Sequence, residues 1–221
     1  MTADSPSYPR HSLTSTPTVN SVQPANSTPS STPQPRVVVL IPAGGGSARL
    51  GGVDKTRLPL GNSTVLATLL TATAAWDRIV VGHEAGDLGP TFPQVRWCRE
   101  DPPGGGPVAA LAAGLALAPD AEIVVALAGD QPWAAAAVPR LLGALADPGA
   151  EAAVGSVNGR GQWLLAAYRA AWLRTELGDG GQGRSMRSLV QGRTLVDVPV
   201  SDIEAFDIDT PDDLREASTR I

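Results

Sequence analysis

The chain has 221 residues, one cysteine and a formal net charge of −5, with a sequence pI near 5.0. An acidic chain has no global basic field to recruit nucleic acid or anionic lipid, and one thiol excludes an internal disulfide framework, so neither partner is expected and a reducing, cytoplasmic setting is. No run of 18 apolar residues is present, and the first residues lack the charged-then-apolar pattern of a secretory signal, so no membrane association is expected.

Residues 1–36 contain 7 Pro, 8 Ser and 6 Thr. Such a segment has too little apolar surface to offset the entropy of ordering it, and reads as a disordered tail ahead of one domain over 37–221. Val37 to Ile41 is a continuous apolar run, the pattern of a strand buried on both faces of a parallel sheet. Arg78 to Gly82 and Ile123 to Ala128 have the same character. Helical patterns lie between and after them, over Ser63–Trp76, Pro107–Leu117 and Ala134–Ala146, the last despite Pro139. Cys98 ends the strand-like run from Val95 and reads as a small core residue rather than a nucleophile. Further on, Ala152–Val157, Gln162–Tyr168 and Thr194–Val200 read as strands, with helices through Leu177 and over Arg184–Gln191. Thr210-Pro211-Asp212-Asp213 opens a final helix, with Thr as N-cap and acids at the positive end. Alternating strands and helices predict an α/β fold with a mainly parallel sheet.

The stretch PAGGGSARLGGVDK (42–55) follows the first strand and carries five glycines. Glycine there lets backbone N–H groups converge on a phosphate without a Cβ in the way. Neither of two familiar phosphate loops fits. After Gly46 and Gly51 the lysine of G-x-x-x-x-G-K is replaced by Gly52, and Arg49 stands where G-x-G-x-x-G needs its third glycine. What remains is a longer loop with two fixed cations, Arg49 and Lys55, suited to a triphosphate whose charge rises at the reacting phosphorus. A plain glycine hairpin is the alternative.

Asp130 follows a buried strand on the same sheet edge, where a carboxylate can share Mg²⁺ with substrate phosphates. Asp207 and Asp209, two residues apart, share one face of an extended segment and either could complete that metal site. The plainer readings are a turn aspartate for Asp130 and a helix-cap role for Asp209.

Together these pieces resemble the molybdenum cofactor guanylyltransferases of the MobA-like nucleotidyltransferase family, over nearly all of 37–219. The resemblance rests on Ala43-Gly44-Gly45 through Arg49-Leu50-Gly51-Gly52-Val53-Asp54-Lys55, on Leu60-Gly61, Gly106-Pro107 and Asp130-Gln131-Pro132, and on Asp207-Ile208-Asp209-Thr210-Pro211-Asp212-Asp213-Leu214. It implies a three-layer α/β/α Rossmann-like fold that uses GTP and Mg²⁺ to move GMP onto the terminal phosphate of molybdopterin, releasing pyrophosphate. By that carry-over Pro42, Ala43 and Gly44 lie against guanine, with Gly45 also in the nucleotide site, Lys55 holds the triphosphate, Asp101 sits near the sugar or base, and Asp130 binds Mg²⁺ with help from Asp209; Arg49, Lys55 and Asp130 would be the catalytic residues. Cofactor-delivery or acceptor proteins would be its protein partners. Ala43-Gly44-Gly45 fits the guanylyl rather than the cytidylyl form of the loop, while Pro42 replaces the family's usual leucine. Val108-Ala109-Ala110, Gly82-His83 and Trp163 are further departures.

Arg184 and Arg187, one helical turn apart after a glycine-rich lead, could jointly hold the acceptor's phosphate or simply form a solvated basic helix end. Cytidylyl or other nucleotidyl transfer to a different phosphorylated acceptor is the first alternative function. A non-catalytic nucleotide-binding domain is the next, and a nicotinamide-dependent oxidoreductase the least favoured, since the third glycine is missing.

Overall fold

The computed structural model of the chain describes residues 1–2, 34–44, 53–82, 84–178 and 180–221. Most of the Pro/Ser/Thr-rich segment, together with Gly45, Arg49 and His83, lies outside the described residues. The body that carries the site runs from Pro35 to Ile221.

In chain order, β1 spans Val37–Pro42, and a two-residue ribbon follows, β2 (Pro59–Leu60) with β3 (Ser63–Thr64). Next come α1 (Val65–Ala72), β4 (Asp77–Val81), the short α2 (Leu88–Thr91), β5 (Arg96–Cys98), α3 (Pro107–Ala116) and β6 (Ile123–Leu127). Then follow α4 (Val138–Ala144), β7 (Ala152–Val157), β8 (Arg160–Arg169), α5 (Ala170–Glu176), α6 (Met186–Val190), β9 (Leu195–Pro199) and α7 (Pro211–Ser218). The main sheet has the order β5-β4-β1-β6-β8-β7-β9. Parallel pairing joins β1 to β4 and β6, β4 to β5, and β7 to β9, whereas β8 runs antiparallel to both β6 and β7. The fold is therefore α/β with a mostly parallel central sheet, as expected. The antiparallel β8 follows from the Asn158-Gly159 turn, whose two positive φ angles, 50° and 75°, match the hairpin turn that the twist of paired strands favours.

Side chains alternate along each buried strand, so the two faces of the sheet have separate cores. Val39, Ile41, Val80, Val125 and Leu127 pack against α1 and α4. Val38, Leu40, Ile79, Val81, Val124 and Ala126 pack against α3, α5 and α6. The result is three layers. Each fully buried Val, Leu or Ile contributes roughly 1.5–3 kcal/mol relative to exposure.

Two predicted helices have different limits in the structure, each for a local reason. The pattern from Ser63 becomes helical only at Val65, because Thr64 is the N-cap, its hydroxyl accepting from the Ala67 N–H at 3.3 Å. Ala134–Ala137 is a 3-10 turn, and α4 starts after it, so Pro139 falls in the first turn, where its missing N–H costs nothing.

A smaller cluster of Leu60, Val65, Ile208 and Ala217 fastens α7 and the segment before it to the β2–β3 ribbon and the start of α1. That contact brings the C-terminal acids towards the first loop.

Candidate functional site

The order of the sheet places the chain reversal beside β1: the strands after it, β4 and β5, lie on one side, and β6 lies on the other. In open α/β sheets, ligands bind in the crevice that this reversal opens beyond the carboxyl ends of the strands. A cavity of ≈ 790 Å³ occupies that position, lined among others by Pro42, Ala43, Gly44, Lys55, Glu100 and Asp130. Its volume is within the range that takes a cofactor-sized ligand.

Glycines let the strand ends converge. The Ala43 N–H donates to the Val81 carbonyl at 2.8 Å and the Gly129 N–H to the Pro42 carbonyl at 2.9 Å. Gly82 has φ +111°, and a Cβ on it would stand 2.4 Å from the Gly44 nitrogen. The contact requires glycine at Gly82, so this departure from the family pattern is built into the loop packing. Opposite these ends, α3 brings its first turn to the cavity through Gly106 and Pro107. Its leading N–H groups lack partners within the helix, which makes this edge attractive to anions.

Lys55 begins a 3-10 turn fixed by Asp54, whose carboxylate accepts from the Thr56 N–H at 3.0 Å and the Thr56 hydroxyl at 2.7 Å. Arg57, at the end of that turn, donates to the Glu84 carbonyl at 2.8 Å. With its backbone held, the Lys55 side chain reaches between two carboxylates: it pairs with Asp130 and, at 2.7 Å, with Asp209. Burial alone would lower the Lys55 pKa, but the hydrogen bonds and charges of Asp130 and Asp209 outweigh it and raise the pKa above the ordinary lysine value. The ammonium is therefore firmly charged.

Asp207 and Asp209 part company here. Asp207 accepts from the Gln131 amide at 2.5 Å, while Asp209 shares Lys55 with Asp130. The backbone holds both in place, since the Ile208 N–H donates to the Asp130 carbonyl at 3.2 Å and the Ile208 side chain is fully buried. Asp213 closes the segment, accepting from the Asp209 and Thr210 N–H groups at 3.0 and 2.7 Å in a capping box at the start of α7. The capping role that Asp209 was weighed for thus belongs to Thr210 and Asp213.

Among the described residues, no group of three or more His, Cys, Asp or Glu side chains is arranged to hold a metal ion. Two carboxylates flanking one bound cation is a different arrangement. The Lys55 ammonium stands in for a cation between oxygen donors, and a hard divalent ion that completes its shell with phosphate oxygens and water suits such a pair. Asp130 and Asp209 are the residues that could hold such an ion, with phosphate oxygens and water completing its shell.

The other expected site residues are placed variously. Pro42, Ala43 and Gly44 line the cavity. Gly45 and Arg49 lie outside the described residues. Asp101 is exposed and lines a neighbouring cavity of ≈ 670 Å³, while Glu100, one residue earlier, is buried and lines both that cavity and the main one. Glu100 accepts from the Gly104 N–H at 3.0 Å through Oε1, and its buried Oε2 has no hydrogen-bond partner among the described residues. No motif marks Glu100. Its one sequence signal is position: it follows β5 on the sheet's carboxyl edge as Asp130 follows β6. Arg184 donates to the Glu176 carbonyl at 2.7 Å and lies near its carboxylate, so it ties α6 to the end of α5. Arg187 is exposed. Neither arginine lines the main cavity. Burial, then the nearby Glu100 carboxylate, push the Cys98 thiol above its usual range against the opposing charge of Arg96, which suits no nucleophile.

No helix is long and apolar enough to cross a membrane among the described residues. No curated protein sequence matches the chain significantly. Its fold is similar to that of molybdopterin-guanine dinucleotide biosynthesis protein A from Archaeoglobus fulgidus, at 21% identity and TM-score 0.65, covering 83% of this chain and 97% of that one. It is also similar to Rv0371c from Mycobacterium tuberculosis, at 24% identity and TM-score 0.66, covering 84% and 98%. The 2-C-methyl-D-erythritol 4-phosphate cytidylyltransferase of Francisella tularensis aligns at 16% identity and TM-score 0.68, covering 84% and 100%. The sequence pattern of the MobA-like NTP transferase domain matches residues 39–198, and the chain belongs to that nucleotidyltransferase family.

Proposed function

We propose that this nucleotidyltransferase is a guanylyltransferase that moves GMP from GTP to the terminal phosphate of molybdopterin or molybdenum cofactor. The observation that carries the reading is the pair of carboxylates, Asp130 and Asp209, held around one cation at the edge of a nucleotide-sized cavity. A binding module with no chemistry to perform has no need of that pair.

Nucleotidyltransferases of this family typically use a divalent metal. A bound Mg²⁺ would neutralise phosphate charge and align the α-phosphate, with Asp130 and Asp209 as its protein ligands. Pro42, Ala43 and Gly44 form the wall beside the base, and Lys55 and Arg49 supply charge to the triphosphate. An oxygen of the acceptor phosphate bonds to the α-phosphorus, and the bond from that phosphorus to the β-bridging oxygen breaks. Pyrophosphate leaves with the electron pair. Such transfer depends mainly on positioning and charge neutralisation, so no serine or cysteine nucleophile is needed.

Guanine is favoured on two grounds: the Ala43-Gly44-Gly45 form of the loop, and Glu100, whose Oε2 has no donor among the described residues. Guanine presents two adjacent N–H donors on its pairing edge, and cytosine offers only its amino group there. Glu100 takes the place by the base first expected for Asp101. Arg184 and Arg187, which do not line the main cavity, are kept as contacts for the acceptor's phosphate. Cytidylyl transfer is the competing reading, because the fold is equally close to a cytidylyltransferase.

The test is pyrophosphate release with Mg²⁺, comparing GTP plus molybdenum cofactor with CTP plus 2-C-methyl-D-erythritol 4-phosphate. Release from the first pair, abolished in Asp130→Ala, is the expected result. Release from the second alone overturns the assignment of base and acceptor.

A further inference from the structure

We infer that Lys55 is an exchangeable counter-ion: in the free protein its ammonium occupies the cation position between Asp130 and Asp209, and it must leave before a divalent ion can bind there. The inference rests on reading this cavity as a nucleotide–metal site. It concerns the order of binding, which the transfer reaction by itself leaves open.

Three observations support it. The ammonium contacts both carboxylates at once, pairing with Asp130 and standing 2.7 Å from Asp209 Oδ1. A divalent ion at 2.0–2.1 Å from the same oxygens would overlap the ammonium, so lysine and metal are mutually exclusive. Second, the backbone at Lys55 cannot yield easily, because Asp54 and Thr56 fix the 3-10 turn and Arg57 anchors its far end to the Glu84 carbonyl. Only the long side chain can move. Third, Lys55 and the first turn of α3 line the same cavity, so a triphosphate seated there would offer the side chain other anionic oxygens.

Charge decides the order. Metal alone would have to displace the lysine from two carboxylates while bringing no phosphate oxygens to take up its charge. A metal–triphosphate complex brings anionic oxygens for the ammonium and a cation for the carboxylates together, so every charge stays paired. The free protein should thus bind metal weakly, and nucleotide should strengthen metal binding strongly. By linkage the converse holds to the same degree.

The distinguishing experiment removes a positive charge and looks for tighter metal binding. Mn²⁺ is titrated into the full chain without nucleotide, followed by the loss of its free-ion EPR signal. Lys55→Met should bind Mn²⁺ about tenfold or more tightly than wild type, within the usual span of coupling between sites. Lys55→Met combined with Asp130→Asn should lose that gain. Equal or weaker binding by Lys55→Met, or a gain that persists in the double variant, overturns the inference. Should Lys55→Met fail to fold, the Lys55 ammonium resonance of the ¹⁵N-labelled wild type serves instead. It should persist with Mg²⁺ alone and shift when GTP is added with Mg²⁺. A shift with Mg²⁺ alone overturns the inference. Pyrophosphate release is scored separately: transfer without the Mn²⁺ gain sinks the counter-ion role alone, and the gain without transfer sinks the proposed reaction alone.

Discussion

The Lys55 ammonium and the Asp209 carboxylate, 154 positions apart in the sequence, meet at 2.7 Å. Neither end of that contact is local. It depends on the Asp54-capped turn on one side and on buried Ile208 on the other.

This geometry separates two neighbouring aspartates. Asp209→Asn should lower kcat for nucleotidyl transfer by roughly a hundredfold or more, since it removes the charge proposed above to act on the metal and phosphates. Asp207→Asn should cost less than about tenfold, because an amide oxygen can still accept from the Gln131 amide. Steady-state pyrophosphate release on both variants checks the ranking, and equal losses would contradict it.

Base choice should respond to Glu100. Glu100→Gln replaces an acceptor-only group with one that also donates, and should reduce kcat/KM for GTP relative to CTP by about tenfold or more. Asp101→Asn, on the neighbouring cavity, should leave the ratio nearly unchanged. Competition assays with mixed nucleotides measure it directly.

The convergence of strand ends predicts a stability contrast between two glycines. Gly82→Ala places a Cβ 2.4 Å from the Gly44 nitrogen at φ +111°, and should destabilise the protein by about 2–4 kcal/mol. That corresponds to a fall of roughly 4–16 °C in Tm at this size. Gly143→Ala, inside α4 with nothing within 4 Å of the new methyl, should stabilise by about 0.5–1 kcal/mol. Thermal melts of the two variants suffice.

Glu204 ties the turn after β9 to α4. It is buried, holds Arg140 of α4 through both oxygens at 2.8 Å, and accepts from the Ser201 N–H at 2.8 Å. Burial alone would raise its pKa, but Ser201 and Arg140 outweigh burial and hold it below the usual carboxylate value. A depressed folded pKa means that the stabilisation is complete above the unfolded carboxylate value, near 4.3, and is lost as pH falls through the folded one. Glu204→Gln should therefore cost about 1–3 kcal/mol at pH 7. Its melting curve should converge with that of wild type as the pH drops below about 4. A gap that stays constant with pH would refute the ionic part of this account.

The apolar runs at Val37–Ile41, Arg78–Gly82 and Ile123–Ala128, with helical patterns between them, determined the α/β layering, because a parallel strand buried on both faces has few other ways to satisfy its backbone and side chains. The N-cap of α7 was equally legible, since capping is local chemistry. What the tertiary structure decided is which groups meet. Asp207 and Asp209 look alike in an extended segment, and only the backbone bond from Ile208 to Asp130 turns one to Gln131 and the other to Lys55. Glu100 and Asp101 are adjacent acids, and only burial at the end of β5 tells them apart. Gly82 carries no motif, and the need for it arises from the approach of Gly44 across two strands. Such choices rest on packing between distant segments, where ångström differences in backbone position select among residues that the sequence alone leaves equivalent.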